Sequence, residues 1–315
     1  MNANRRRYSG WILILILVFT LSAIGQTVPS TGGTNTFTFC TGSGCKQLVF
    51  EYREPKFGRD QKFASKLMAR DMPYRVIVPV GYEEKTNLGL RYPVVYLLHG
   101  LTGHYTNWVE KTKLIEYAAN HKLIIVTPEG DNGWYSDSVT VATDKYESYI
   151  VKELIPEIDT KYRTLANREN RIIAGLSMGG YGSIKFGLKY PEMFSLVGSF
   201  SGALGVTAFT EKTAGAIGKG IDAIMGAEDS DSRKSNDIFK MVRELTPEKV
   251  KALPYIYQSC GTEDFLIQNN RDYLKLLNDM KVSHEYREHP GIHDWVFWED
   301  QVREFLDVAE RRLKK

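Results

Sequence analysis

Apolar runs of strand length alternate with segments of helical periodicity along most of the chain. YPVVYLLHG (92–100), KLIIVTPEG (122–130), RIIAGL (171–176), FSLVGSFSG (194–202) and PYIYQSC (254–260) are nearly continuous apolar stretches bounded by Pro, Gly or polar residues. Such runs predict strands buried on both faces, as in a parallel sheet. LVFEY (48–52), YRVIVPV (74–80) and HEYREHPG (284–291) add further strand-like segments. Between them, residues 114–121, 146–162, 180–190, 273–280 and 295–313 read as helices. Strands alternating with helices predict βαβ units and one mostly parallel sheet. Residues 26–46 are rich in Thr, Ser and Gly and predict a flexible lead-in. Residues 203–250 are polar, with short helical pieces, and suit an insertion over the top of the sheet.

The first residues change the picture of where the chain works. Arg5, Arg6 and Arg7 precede an apolar run from Trp11 to Ile24, followed by Ala23-Ile24-Gly25 as a small-residue cleavage site. That order predicts a secretory leader over residues 1–25. An uncleaved anchor is the alternative reading, and the run is short for it, since a bilayer span needs roughly 20 residues. Cleavage would remove three arginines and no acid, taking the formal net charge from +3 to zero. A neutral mature chain argues against a nucleic-acid surface or a polybasic membrane patch. The rest divides into a lead-in with an edge strand (26–61) and one domain (62–315), long enough to bury a substantial core. Of three cysteines, Cys40 and Cys45 are spaced to close a small disulfide loop in an exported protein, and Cys260 reads as a buried thiol.

In parallel sheets the chemistry gathers at the carboxyl ends of the strands, which directs attention to the loops after residues 98, 127, 176, 200, 260 and 288. The pentapeptide Gly175-Leu176-Ser177-Met178-Gly179 lies between a strand and a helix, the setting of a nucleophile elbow. Its glycines allow strand and helix to pass closely around a strained turn. The five-residue pattern alone is weak; its context carries the weight. Asp264 follows the 254–260 strand and His293 follows the 284–289 strand, so Ser, acid and His occur in the chain order of α/β-hydrolases. Ser177 is expected as the nucleophile, His293 as the base that takes its proton, and Asp264 as the acid that orients His293. The backbone N–H groups of Met178 and of Leu101, in the His99-Gly100-Leu101 turn, are the expected oxyanion donors. This chemistry needs no cofactor and no metal.

Rival residues stand near each of these positions. His289 competes with His293, Glu263 competes with Asp264, and Asp294 suits an outer partner. His99, at a strand end, suits a structural role in holding the oxyanion loop. Trp108, Trp134 and Tyr135 fall in carboxyl-edge loops and are expected as pocket walls, where aromatics stack on sugars or phenolic acyl groups. Trp298, on the closing helix, is expected in the core.

YPVVYLLHGLTGHYTNW, PEGDNGWYSDS, ELIPEID, RIIAGLSMGGYGSIKFGLKYPEMF, CGTED and GIHDWVFW together resemble the Putative esterase family of α/β-hydrolases, over roughly residues 62–310. That family includes S-formylglutathione hydrolases, feruloyl and acetylxylan esterases, tributyrin-type esterases and secreted mycolyltransferases. The resemblance implies an α/β-hydrolase fold, a mostly parallel central sheet flanked by helices; residues 203–250, read above as an insertion over the site, match no signature of the family. It implies Ser177, Asp264 and His293 as the triad, with Leu101 and Met178 as oxyanion donors. The expected activity is a secreted or periplasmic serine carboxylesterase acting on acetyl, short-chain or feruloyl esters, including esters linked to polysaccharide. An acyltransferase and an S-formylglutathione hydrolase-like thioesterase are the alternatives.

Overall fold

The structure is a computed structural model that describes residues 33–41, 44–52 and 58–313. The expected leader (1–25) lies outside the described residues. Residues 33–52, expected within a flexible lead-in ending in an edge strand, instead contain a two-stranded antiparallel hairpin, β1 (Gly33–Thr41) and β2 (Gly44–Tyr52). Alternating Thr and Phe in TNTFTF give β1 a strand pattern that its Ser/Thr/Gly content concealed. Its register sets Cys40 opposite Cys45. The side chains of this hairpin, and with them the expected disulfide, lie outside the described residues. The two strands form a two-stranded sheet, and the chain divides into two units, residues 1–56 and 57–315.

The larger unit is built on an eight-stranded sheet of order β10-β9-β8-β7-β5-β6-β4-β3. Its strands are β3 (Arg59–Ser65), β4 (Arg70–Ile77), β5 (Val94–Leu98), β6 (Ile124–Pro128), β7 (Arg171–Leu176), β8 (Leu196–Phe200), β9 (Tyr255–Gly261) and β10 (His284–His289). From β10 to β6 every pairing is parallel, and β4 and β3 complete the other edge antiparallel. Every residue of β5, β6, β7 and β8 is buried, which explains their unbroken apolar runs. The domain includes β3, so it begins a few residues before the expected boundary at 62.

Helices cover both faces. On one side lie α1 (Asn107–Glu110), α2 (Leu114–Ala118) and the closing helix α11 (Trp295–Leu313), packing Trp108, Leu114, Phe297 and Phe305 against the sheet. On the other lies a continuous helical segment, α3 (Tyr146–Tyr149), a π-helical turn (Ile150–Leu154) and α4 (Ile155–Lys161). Beside it run α5 (Met178–Lys189) and α10 (Ile267–Asp279). Between β8 and β9 the chain forms α6 (Glu211–Met225), α7 (Asp231–Lys234), α8 (Ile238–Arg243) and α9 (Pro247–Ala252), the expected insertion. Thr210, Ser230, Asp237 and Thr246 each cap one of these short helices with a side-chain oxygen, which is how so polar a stretch holds helical structure. No helix among the described residues is long and apolar enough to cross a membrane.

Candidate active site

Ser177 sits between β7 and α5 with φ 52° and ψ −114°, a conformation that L-residues rarely adopt. Strain of this kind costs about 1–3 kcal/mol and persists only where the surroundings over-determine it. Here they do. The Ser177 N–H donates to Phe200 O at 2.9 Å, and Ser177 O accepts from Tyr181 and Ala203, each at 3.0 Å. The glycines explain the tightness of the turn. A Cβ on Gly179 would lie 2.6 Å from Leu98 O and 2.7 Å from His99 O, and one on Gly175 would lie 2.6 Å from the Gly179 backbone.

The structure brings Ser177, His293 and Asp264 together from three loops. His293 Nε2 is 3.0 Å from Ser177 Oγ, and His293 Nδ1 is 2.8 Å from Asp264 Oδ2. These residues are 116 and 29 positions apart in sequence. Parallel neighbours β7, β8, β9 and β10 deliver them to one edge of the sheet. Asp264 is buried and also accepts the Leu266 N–H at 2.8 Å. Burial alone would raise its pKa; hydrogen bonds from His293 and Leu266 outweigh that and hold the carboxyl below its ordinary range.

Rival residues take supporting positions. Glu263 accepts the Gly291 N–H at 2.7 Å and so braces the loop that carries His293. Asp294 accepts the Phe297 N–H at 3.0 Å at the start of α11. His289 lies 3.4 Å from Glu304, away from Ser177. Cys260 is buried and unpaired, its thiol pushed up to about 12 by burial and then by the Asp264 charge.

Leu101 lies in the turn after β5, and Met178 is the first residue of α5, directly after Ser177. Among the described residues neither N–H donates a backbone hydrogen bond. His99 is buried behind the turn, its Nδ1 donating to Gly100 O at 2.8 Å and its Nε2 lying 3.0 Å from Glu129 Oε1. Glu129 also accepts the N–H groups of Asp131 (2.8 Å) and Tyr105 (3.2 Å), tying the loops after β5 and β6 into one block. Burial opposes ionisation of Glu129, but the His99 and backbone hydrogen bonds prevail and lower its pKa. Sequence reasoning missed Glu129, because a Glu inside a strand-end turn carries no signal of its burial.

A cleft of about 620 Å³ opens over Ser177. Its walls are mostly apolar, with Leu101, Trp134, Phe209, Ile217, Phe265 and Trp298 among them. Two of the three expected aromatic walls are corrected. Trp108 is fully buried beneath the site. Helix α1 turns its indole inward, where Nε1 donates to Leu98 O at 3.0 Å and the ring meets Trp295 edge-on at 5.4 Å. Tyr135 is likewise buried, its hydroxyl donating to His99 O at 2.9 Å, so it supports the His99-Gly100-Leu101 turn from behind. Trp134 alone of the three lines the cleft. Trp298, expected in the core, is buried yet reaches the site, its ring edge-on to the His293 imidazole at 4.9 Å and 88°. Phe265, Phe209 and Ile217 were not anticipated. Phe265 directly follows Asp264, which is the one sequence signal that places it there.

Comparison with known proteins agrees with this architecture. A family profile described as Putative esterase matches residues 65–306. The chain is 30% identical over 253 residues to the acetyl esterase of Caldicellulosiruptor saccharolyticus, covering 76% of this chain and 93% of that protein. It is 36% identical over 137 residues to an endo-1,4-beta-xylanase/feruloyl esterase of Xylanibacter ruminicola, a segment that is 40% of this chain and 19% of that protein. Among solved structures, a fluorophosphonate-binding serine hydrolase of Staphylococcus aureus superposes with a TM-score of 0.70 at 25% identity, covering 80% of this chain and 98% of that one. With an α/β-hydrolase sheet and a profile match across nearly the whole larger unit, the chain belongs to the Putative esterase family and is an enzyme of the esterase class.

Proposed function

We propose that this chain is an exported serine carboxylesterase that cleaves acetyl or feruloyl-type acyl esters, including those carried on polysaccharide, through an acyl-enzyme on Ser177. The observation that carries this reading is the unbroken line Ser177 Oγ, His293, Asp264, at 3.0 and 2.8 Å. A serine hydroxyl is a weak nucleophile until a base takes its proton as it attacks. His293 Nε2 is within reach to do so, and Asp264 on Nδ1 fixes the tautomer and stabilises the imidazolium that forms. The carbonyl oxygen of the ester becomes negative and is caught by the N–H groups of Leu101 and Met178. Each such donor is worth roughly 3 kcal/mol in the transition state. His293 then protonates the departing alkoxide, leaving the acyl group on Ser177. Water, deprotonated by the same imidazole, attacks the acyl-enzyme and restores the serine. An apolar cleft flanked by Trp134 and Phe265 suits a small acyl group and an aromatic or sugar ring.

Support for the substrate class comes from the acetyl esterase and xylanase/feruloyl esterase relatives. Export rests on the basic and apolar leader over residues 1–25. The test is hydrolysis of a panel: p-nitrophenyl esters of rising chain length, methyl ferulate and acetylated xylan. Turnover falling steeply beyond short chains, with activity on ferulate or acetylated xylan, is expected. Folded protein that turns over none of them overturns the reading.

A further inference from the structure

Lys185 lies on α5, two turns beyond Ser177, and its side chain is 0% exposed. A fully buried helix position is ordinarily apolar, and an ammonium there must find partners for its donors. Its Nζ donates to Tyr135 O at 2.7 Å, Ser136 Oγ at 2.6 Å and Asn236 Oδ1 at 3.3 Å, and pairs with Glu147 Oε2 at 2.9 Å. The two shortest of these contacts reach one short turn after β6. That turn is unusual: Trp134 and Tyr135 are consecutive non-glycine residues at φ 50° and 51°. Left-handed backbone at two neighbouring bulky residues does not hold itself.

The same turn touches the site at two points. Trp134 lines the cleft, and the Tyr135 hydroxyl donates to His99 O at 2.9 Å, two residues before Leu101. The Tyr135 ring has no freedom to swing away. A Cβ on Gly130 would lie 2.5 Å from its Cε1 and one on Gly182 would lie 2.7 Å from its Cδ2. Asn132, from the same loop, accepts the Thr102 N–H at 2.7 Å. Helix α5 thus presents the nucleophile at its first turn and, at Lys185, a clamp on the loop that backs the oxyanion donors.

We propose that Lys185 is a positioning residue: its buried ammonium locks the Trp134–Tyr135 turn so that the Tyr135 hydroxyl holds the His99-Gly100-Leu101 turn in register with Ser177. The inference rests on the esterase reading above. It predicts an effect on turnover rather than on binding, because oxyanion stabilisation is realised in the transition state. The charge balance leaves the position open to substitution. Without Lys185, Glu147 keeps the Lys189 ammonium at 3.0 Å and the Tyr190 hydroxyl at 2.9 Å.

Lys185→Met, Tyr135→Phe and the double variant are compared with the unaltered chain and with Ser177→Ala, using p-nitrophenyl acetate kinetics, fluorophosphonate labelling rates and circular dichroism. Hydrolysis by the unaltered chain and its loss in Ser177→Ala establish the esterase reading independently of Lys185. Each single variant is expected to stay folded, with kcat down roughly 10- to 100-fold and KM within about twofold. Labelling should slow in step with kcat. The double variant should lose no more than the worse single one, since both changes cut the same tie. Folded Lys185→Met at full kcat, or losses that multiply in the double variant, overturns the proposal. Should Lys185→Met not fold, Tyr135→Phe decides alone, and unaltered kcat in that variant overturns it.

Discussion

Phe265 lies against the imidazole of His293, the ring centroids 4.6 Å apart and tilted by 51°, while 77% of Phe265 remains exposed. An aromatic left this open gains little by burial, so its place beside the base calls for a role with substrate. In the mechanism proposed above, His293 hands its proton to the leaving group, which would put Phe265 on the alcohol side of the cleft. Phe265→Ala should lower kcat/KM for esters of aromatic or sugar alcohols by about 3- to 10-fold, the range of one lost ring contact. Methyl esters of the same acid should be nearly unaffected, and stability should shift by no more than about 0.5 kcal/mol. Parallel kinetics on methyl and p-nitrophenyl acetate check this; equal losses on both would remove Phe265 from the alcohol side.

Asp264→Asn keeps the shape of the acid but loses the charge that its hydrogen bonds hold in place. The expected outcome is a folded protein whose kcat falls about 10⁴-fold, as in well-studied triads where the imidazole takes the wrong tautomer. Glu263→Gln, one residue away, loses a charge that braces the Gly291 N–H and the Thr262 hydroxyl, and should retain most of the activity. Steady-state kinetics of the two variants separate the roles that sequence reasoning left in competition.

Glycines in the larger unit divide sharply by environment. A methyl on Gly179 would press on the carbonyls of Leu98 and His99, which are backbone and cannot yield. Gly179→Ala should therefore destabilise by about 1–3 kcal/mol or more. Gly220, inside α6, has open space where an added methyl would sit, with nothing within 4 Å. Gly220→Ala should stabilise by about 0.4–1 kcal/mol through helix propensity and a stiffer unfolded chain. Urea melts of both variants check the pair.

Glu147 makes the acid limb of stability predictable. Burial would raise its pKa, but Lys185 and Lys189 together depress it from 4.5 to about 2. A carboxylate whose folded pKa lies below its unfolded value stabilises fully above the unfolded value and loses that contribution as pH falls toward the folded one. The window is thus pH 4.5 down to about 2, and the loss is at most on the order of 3 kcal/mol. Asp264 and Glu129, also depressed, act in the same direction. Melting temperatures from pH 7 to pH 3 should fall most steeply below pH 4.5, and Glu147→Gln should flatten that fall.

Much of this was legible in the chain, for identifiable reasons. Strands buried on both faces print continuous apolar runs, so β5 to β9 were readable, and the parallel sheet with them. Its topology in turn told which loops share an edge, which is why Ser177, Asp264 and His293, far apart in the chain, were expected to meet, as they do at 3.0 and 2.8 Å. Side-chain direction was not legible. Trp108 and Trp298 both sit near carboxyl-edge loops, and only the helix each belongs to decides that one indole turns under the sheet and the other toward His293. Lys185 was invisible because a lysine on a helix ordinarily points to water. Of the hairpin, LVFEY in β2 was legible, but β1 was hidden by a composition that loops and polar strands share.

The central claim is that Ser177 is the residue on which the acyl group rides. Reaction of the folded protein with a fluorophosphonate, followed by mass spectrometry of its peptides, tests it most directly. One adduct per chain, on the peptide containing Ser177 and absent from Ser177→Ala, is the expected result. An adduct on another residue, or labelling undiminished in Ser177→Ala, would contradict the account.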